Sequence, residues 1–90
     1  MLKSANTIWK YLVKLRYTLE VNGLYHEQEI IISLGSIEWS WLEDDEIYKE
    51  IMKEKKPMLA GFTLTKSERM SGLMIENEHI IKELEVAHGL

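Results

Sequence analysis

The sequence predicts an α+β domain, an antiparallel β-meander of three to four strands with one or two helices packed on one face, in the order β-β-β-α-β-α. Three observations carry this prediction. Residues 11–21 alternate between apolar and polar, and Asn22-Gly23 and Gly35-Ser36 are both turn pairs of the two-residue hairpin kind. The register that those two turns impose gathers the large apolar side chains on one face.

The first strand rests on period two. Tyr11, Val13, Leu15, Tyr17, Leu19 and Val21 occupy the odd positions, and Leu12, Lys14, Arg16, Thr18 and Glu20 fall between them. A helix is the competing assignment, because Ile8, Leu12, Leu15 and Leu19 share a helical face. That helix would turn Val13, Tyr17 and Val21 to the opposite side, and the strand is preferred on this ground. Asn22-Gly23 then suits a type I′ turn, in which both central residues need positive φ. It sets Val13 opposite Ile32 and Leu15 opposite Ile30, with His26 beside Leu19. Gly35-Ser36 suits a type II′ turn and sets Ile32 opposite Trp39 and Ile30 opposite Trp41. A slip of one residue would send a whole strand's apolar set to solvent.

Acids at Glu43, Asp44, Asp45 and Glu46 precede Ile47, Tyr48, Ile51 and Met52 at helical spacing, and Lys53, Lys55, Lys56 and Pro57 follow. Acids first, bases last and a proline stop predict a helix from about Asp44 to Lys56. Phe62 to Thr65 predicts a fourth strand, and Thr65-x-x-Glu68 resembles a capping box. Met70, Leu73, Asn77, Ile80, Leu84 and Ala87 form a seam of three- and four-residue steps, closed by Gly89. Gly72 near its start makes Ser71 an alternative N-cap. Whether residues 58–72 are a strand and helix or one long loop stays open.

Ninety residues, 46% of them hydrophobic and 29% charged, fit one globular domain over 1–90 rather than a disordered chain. No cysteine is present, so disulfides and thiolate metal sites are excluded. The net charge of −4 opposes non-specific nucleic-acid binding. Lys3, Lys10, Lys14 and Arg16 precede the first acid, as in a transit peptide, but they lie within the best strand pattern. No apolar run approaches the ~20 residues of a membrane span, and a cytoplasmic protein is expected.

Candidate chemistry is sparse. Glu76-Asn77-Glu78-His79 holds one Glu-x-x-His, where a di-metal bundle needs two and further carboxylates. A general base needs a positioned nucleophile, and no such set accompanies His26 or His88. The five glycines show no phosphate-loop spacing. No catalytic residue, cofactor or metal is therefore assigned.

Partner binding is the expectation that remains. Leu12, Ile31 and Leu42 come together on the sheet's outer face in the predicted register, and an exposed apolar patch marks an interface. Asn77, polar in an apolar seam, would specify partner and register. Glu43, Asp44, Asp45 and Glu46, with Glu76 to Glu85, would face a basic protein partner. The function expected is a small non-enzymatic interaction, regulatory or inhibitor domain, with homodimer formation open; a virus-encoded inhibitor would look like this, and so would host regulators. Two alternatives stand beside it. One is a nucleic-acid-binding domain using Lys10, Lys14, Arg16 and the lysines near Lys55. The other is a ligand-binding protein or enzyme with a pocket near Trp39 and Trp41.

Overall fold

The structure, a computed structural model, describes residues 4–25 and 29–87, the last four as helical backbone. Its elements run α1 (Ala5–Val21), β1 (Ile31–Gly35), α2 (Ser36–Glu43), a 3-10 turn (Ile51–Lys53), β2 (Met58–Leu59), β3 (Phe62–Ser67), β4 (Leu73–Ile75) and α3 (Glu78–Ala87). The class is α+β, as expected. The sheet is mixed rather than purely antiparallel, in the order β2-β3-β1-β4, with β1 parallel to β3 and the other neighbours antiparallel. Parallel neighbours need a crossover rather than a tight turn, and α2 and the 3-10 turn lie within it.

The central correction is at the start of the chain. Residues 11–21 are helix, and the assignment set aside on the sequence is the one adopted. Ser4 is the N-cap, its side chain accepting from the Thr7 N–H at 3.4 Å, and no glycine or proline interrupts residues 5–21. Ala5, Ile8, Leu12 and Leu19 are buried and Leu15 packs beside them, one stripe at helical spacing. Burying that stripe decides between two patterns that the sequence satisfies equally.

Asn22-Gly23 ends this helix instead of turning a hairpin. Gly23 has φ +69, its N–H donates to the Glu20 carbonyl at 3.1 Å, and the Leu24 N–H donates to the Leu19 carbonyl at 2.8 Å. These are the two bonds of a Schellman motif, and Leu19 and Leu24 supply its apolar contact within the core. Type I′ turns and helix C-caps both demand positive φ, so the dipeptide suits either.

Gly35-Ser36 is likewise no turn. Gly35 closes β1 with φ −65 and is the N-cap of α2, so Ile37, Trp39 and Trp41 belong to a helix and not to a third strand. Its lack of a side chain answers a close approach: a Cβ there would lie 2.6 Å from the Met70 carbonyl oxygen and 2.9 Å from the Ser71 Cα.

The helix expected over 44–56 is a series of turns that ends in the 3-10 segment. The acids of 43–46 thus sit at the C-terminal end of α2, opposite to the placement that a helix dipole favours. The strand expected at 62–65 is present as β3. The one hairpin turn of two residues among the described residues is Ala60-Gly61, with φ +54 and +88, joining β2 to β3. Thr65 lies in β3 and caps no helix. The C-terminal seam is split, since Leu73 belongs to β4 and helix begins only at Glu78. His26, His88 and Gly89 lie outside the described residues.

The strand register puts Ile32, Leu34, Leu64, Leu73 and Ile75 on one face of the sheet. Here α2 packs against β1, β3 and α1, and Phe62, Leu12, Leu19, Leu42 and Ile80 belong to the buried cluster. The other face carries Ile31, Ser33, Thr63, Thr65 and Met74.

Candidate functional site

Burying one stripe of α1 exposes its opposite side. Trp9, Val13, Tyr17 and Val21 follow one another at i, i+4 spacing and are 37%, 44%, 68% and 63% exposed. On a helix this spacing makes a continuous, slightly inclined ridge. Lys10, Lys14 and Thr18 form the next row, and beyond it a shallow groove of ≈ 250 Å³ is lined by Tyr11, Lys14, Leu15 and Thr18. Trp9 anchors one end of the ridge, its ring 6.3 Å from that of Tyr48. Burial, and secondly the Asp45 carboxylate, hold the Tyr48 hydroxyl above its ordinary pKa of 10.0.

This surface takes the place of the apolar patch expected from the meander. Leu12 and Leu42 are fully buried in the core, so they form no exposed patch with Ile31. Ile31 is half-buried on the outer face of the sheet, beside Thr63. The signal for the ridge was present in the sequence, because Val13, Tyr17 and Val21 are the residues that a helix turns outward.

Of the candidate cations, Lys10 and Lys14 are exposed on α1, whereas Arg16 is held inward. Its guanidinium meets Glu20 at 3.2 Å, donates to the Ala60 carbonyl at 3.4 Å and lies 4.8 Å from the centre of the Tyr25 ring. Tyr25 in turn donates to the Gly61 carbonyl at 3.3 Å, so Arg16 and Tyr25 tie the end of α1 to the β2–β3 hairpin. Lys55 is exposed after the 3-10 turn, and Lys49 and Lys53 pair with Glu46 and Glu50.

The acidic run is partly engaged. The Asp45 carboxylate accepts from the Ile47 N–H at 2.8 Å and Glu46 pairs with Lys49 at 2.9 Å, while Glu43 and Asp44 are exposed. Asn77 works within the chain: its Oδ1 accepts from the Ile31 N–H at 2.9 Å and its Nδ2 donates to the Glu29 carbonyl at 3.0 Å. A side-chain amide thus stands where a strand's peptide group would, extending the β1–β4 ladder by one step. Trp39 and Trp41 are half-buried, packed from α2 against the core.

One polar network covers the outer face of the sheet. Ser33 is buried; its hydroxyl donates to Glu76 and lies 3.0 Å from the Thr65 hydroxyl, while the Thr63 hydroxyl donates to Glu29 at 3.1 Å. Hydroxyl–carboxylate bonds satisfy groups that would otherwise be costly to bury. Glu76 is spent in this network, and among the described residues no three of His, Asp or Glu are placed to hold a metal ion. Nor, among them, is any helix long and apolar enough to cross a membrane.

Comparison with known proteins returned no matching family model, no matching curated protein and no matching solved structure.

Proposed function

We propose that this chain is a small non-enzymatic protein-interaction module whose contact face is the outward side of α1. One observation carries the reading. Four large apolar side chains stand in a single exposed row on a well-capped helix; Trp9 packs in part against Tyr48, while Val13, Tyr17 and Val21 lie outside the core cluster. Scattered apolar side chains on a surface need no explanation, but a contiguous row on rigid structure has the form of a docking ridge. The acidic run is a weaker basis, because Asp45 and Glu46 already have partners within the chain. A nucleic-acid face loses Arg16 to the hairpin and keeps Lys10 and Lys14 on α1, with Lys55 exposed after the 3-10 turn.

The test is a Val13→Glu/Tyr17→Glu double variant, both positions being exposed on a helix that glutamate suits. Proteins retained by the wild type and lost by the variant, with circular dichroism and melting temperature unchanged, are the expected result. A folded variant that retains the same proteins overturns the reading.

A further inference from the structure

We propose that the occupant of the α1 face is an acidic amphipathic helix of a partner protein. This inference rests on α1 being the contact face and adds the chemistry of what binds there.

Shape is the first argument. The ridge Trp9–Val13–Tyr17–Val21, the lysine row beside it and the groove along Tyr11 and Leu15 are successive i±4 rows. Rows of this kind interdigitate with the i±4 rows of a second helix, crossing at about −50°. The ridge rises over about 18 Å at 1.5 Å per residue, enough for a partner helix of three to four turns.

Charge is the second. Lys10 and Lys14 are i, i+4 neighbours of like sign, an arrangement that disfavours the helix carrying it. Among the described residues neither forms an ion pair, and the one acid on α1, Glu20, is bound to Arg16. The row is therefore an unneutralised basic strip, flanked by apolar side chains, in a protein of net charge −4. Carboxylates on the flank of an apolar helix would lie over it. A second copy docked antiparallel through α1 would instead bring lysines against lysines. A nucleic acid needs more phosphate contacts than two lysines offer.

The experiment measures fluorescence anisotropy with four labelled or competing probes. They are an 18-residue leucine-rich amphipathic peptide with glutamate on its polar flanks, its twin with lysine at each glutamate, a 20-nucleotide single strand, and vesicles of phosphatidylcholine with phosphatidylserine. The wild type is expected to bind the acidic peptide at least about tenfold more tightly than the basic twin, and to lose about tenfold between 50 and 500 mM salt. Lys10→Glu/Lys14→Glu is expected to reverse the peptide preference with its circular dichroism and melting temperature unchanged.

Equal binding of the two peptides, a preference untouched by the charge swap, or binding of the oligonucleotide or vesicles in place of the acidic peptide overturns the proposal. If no peptide binds, but light scattering shows a dimer that Val13→Glu/Tyr17→Glu dissolves, the α1 face stands and its occupant is a second copy. If neither variant changes any association, both readings fall.

Discussion

Leu12→Ala and Val13→Ala, adjacent in the chain, separate the helix from the strand that the sequence also permits. In the structure Leu12 is fully buried and Val13 is 44% exposed on the opposite side of α1. Leu12→Ala removes buried methyl and methylene groups from a site walled by core side chains, so both the lost transfer energy and the residual cavity count, about 2–5 kcal/mol together. Val13→Ala gives up partial contacts, but alanine is the better helix former by up to about 0.6 kcal/mol, and the net change stays within about 0.5 kcal/mol. A strand reverses the order, since it points Val13 into the core. Domains of this size have a total stability of about 5–13 kcal/mol, so Leu12→Ala removes a large fraction of it. Urea unfolding followed by tryptophan fluorescence reads the difference. With a slope of about 1–1.5 kcal/mol/M, the midpoint falls by at least about 1.3 M for Leu12→Ala and by less than about 0.5 M for Val13→Ala. Equal losses, or a larger one for Val13→Ala, would refute the helix and with it the outward ridge.

Gly23→Ala should cost about 1 kcal/mol, because φ is +69 in open space and only backbone strain is added. Gly35→Ala should cost more, about 2–3 kcal/mol, although its φ is −65, because backbone at Met70 and Ser71 blocks the Cβ; thermal melts of the pair separate the two causes. Asn77→Ala strips both a donor and an acceptor from the edge of the sheet and should cost about 1–3 kcal/mol, with faster amide exchange at Ile31 as the local readout. Tyr48 has a raised pKa, so the folded state holds its proton more tightly than the unfolded state does. The stability linked to it is complete below pH 10 and is lost as pH rises through the folded pKa. Tyr48→Phe should therefore lessen the alkaline loss above pH 10 in melts compared with the wild type, and identical curves would show that Tyr48 is not so linked.

The fold was legible where its signals were local and lacked a rival. Phe62 to Thr65 marked β3 and the apolar steps around Ile80 marked α3, whereas the α+β class was reached from a meander that is not there. It was illegible where one signal serves two structures. Asn22-Gly23 meets the positive-φ demand of a hairpin and of a helix cap alike, and what distinguishes them is the Leu19–Leu24 contact across the cap. The agreement of the two turns in register also carried less weight than it promised. Ile30, Ile31 and Ile32 are consecutive, so that segment presents an isoleucine to the core in either register. The pairing of β1 with β3 left no trace in the local sequence, because parallel strands far apart in the chain are joined by a crossover and not by a turn with its own residue code.

The candidate site was hidden by a premise rather than by a missing signal. Val13, Tyr17 and Val21 argued against a helix only on the assumption that every regular apolar row in a chain is there to build its own core. In α1 two patterns coexist on one segment. The 3.6-residue pattern of Ile8, Leu12, Leu15 and Leu19 is consumed by folding, and the residues between them make the alternation look like a strand. A helix that served only the core would gain solubility from polar residues on its outer side, at no cost in packing. That large apolar side chains stand there instead, in one row and next to unneutralised lysines, is a departure from what folding requires. Such departures are where selection for binding is best sought.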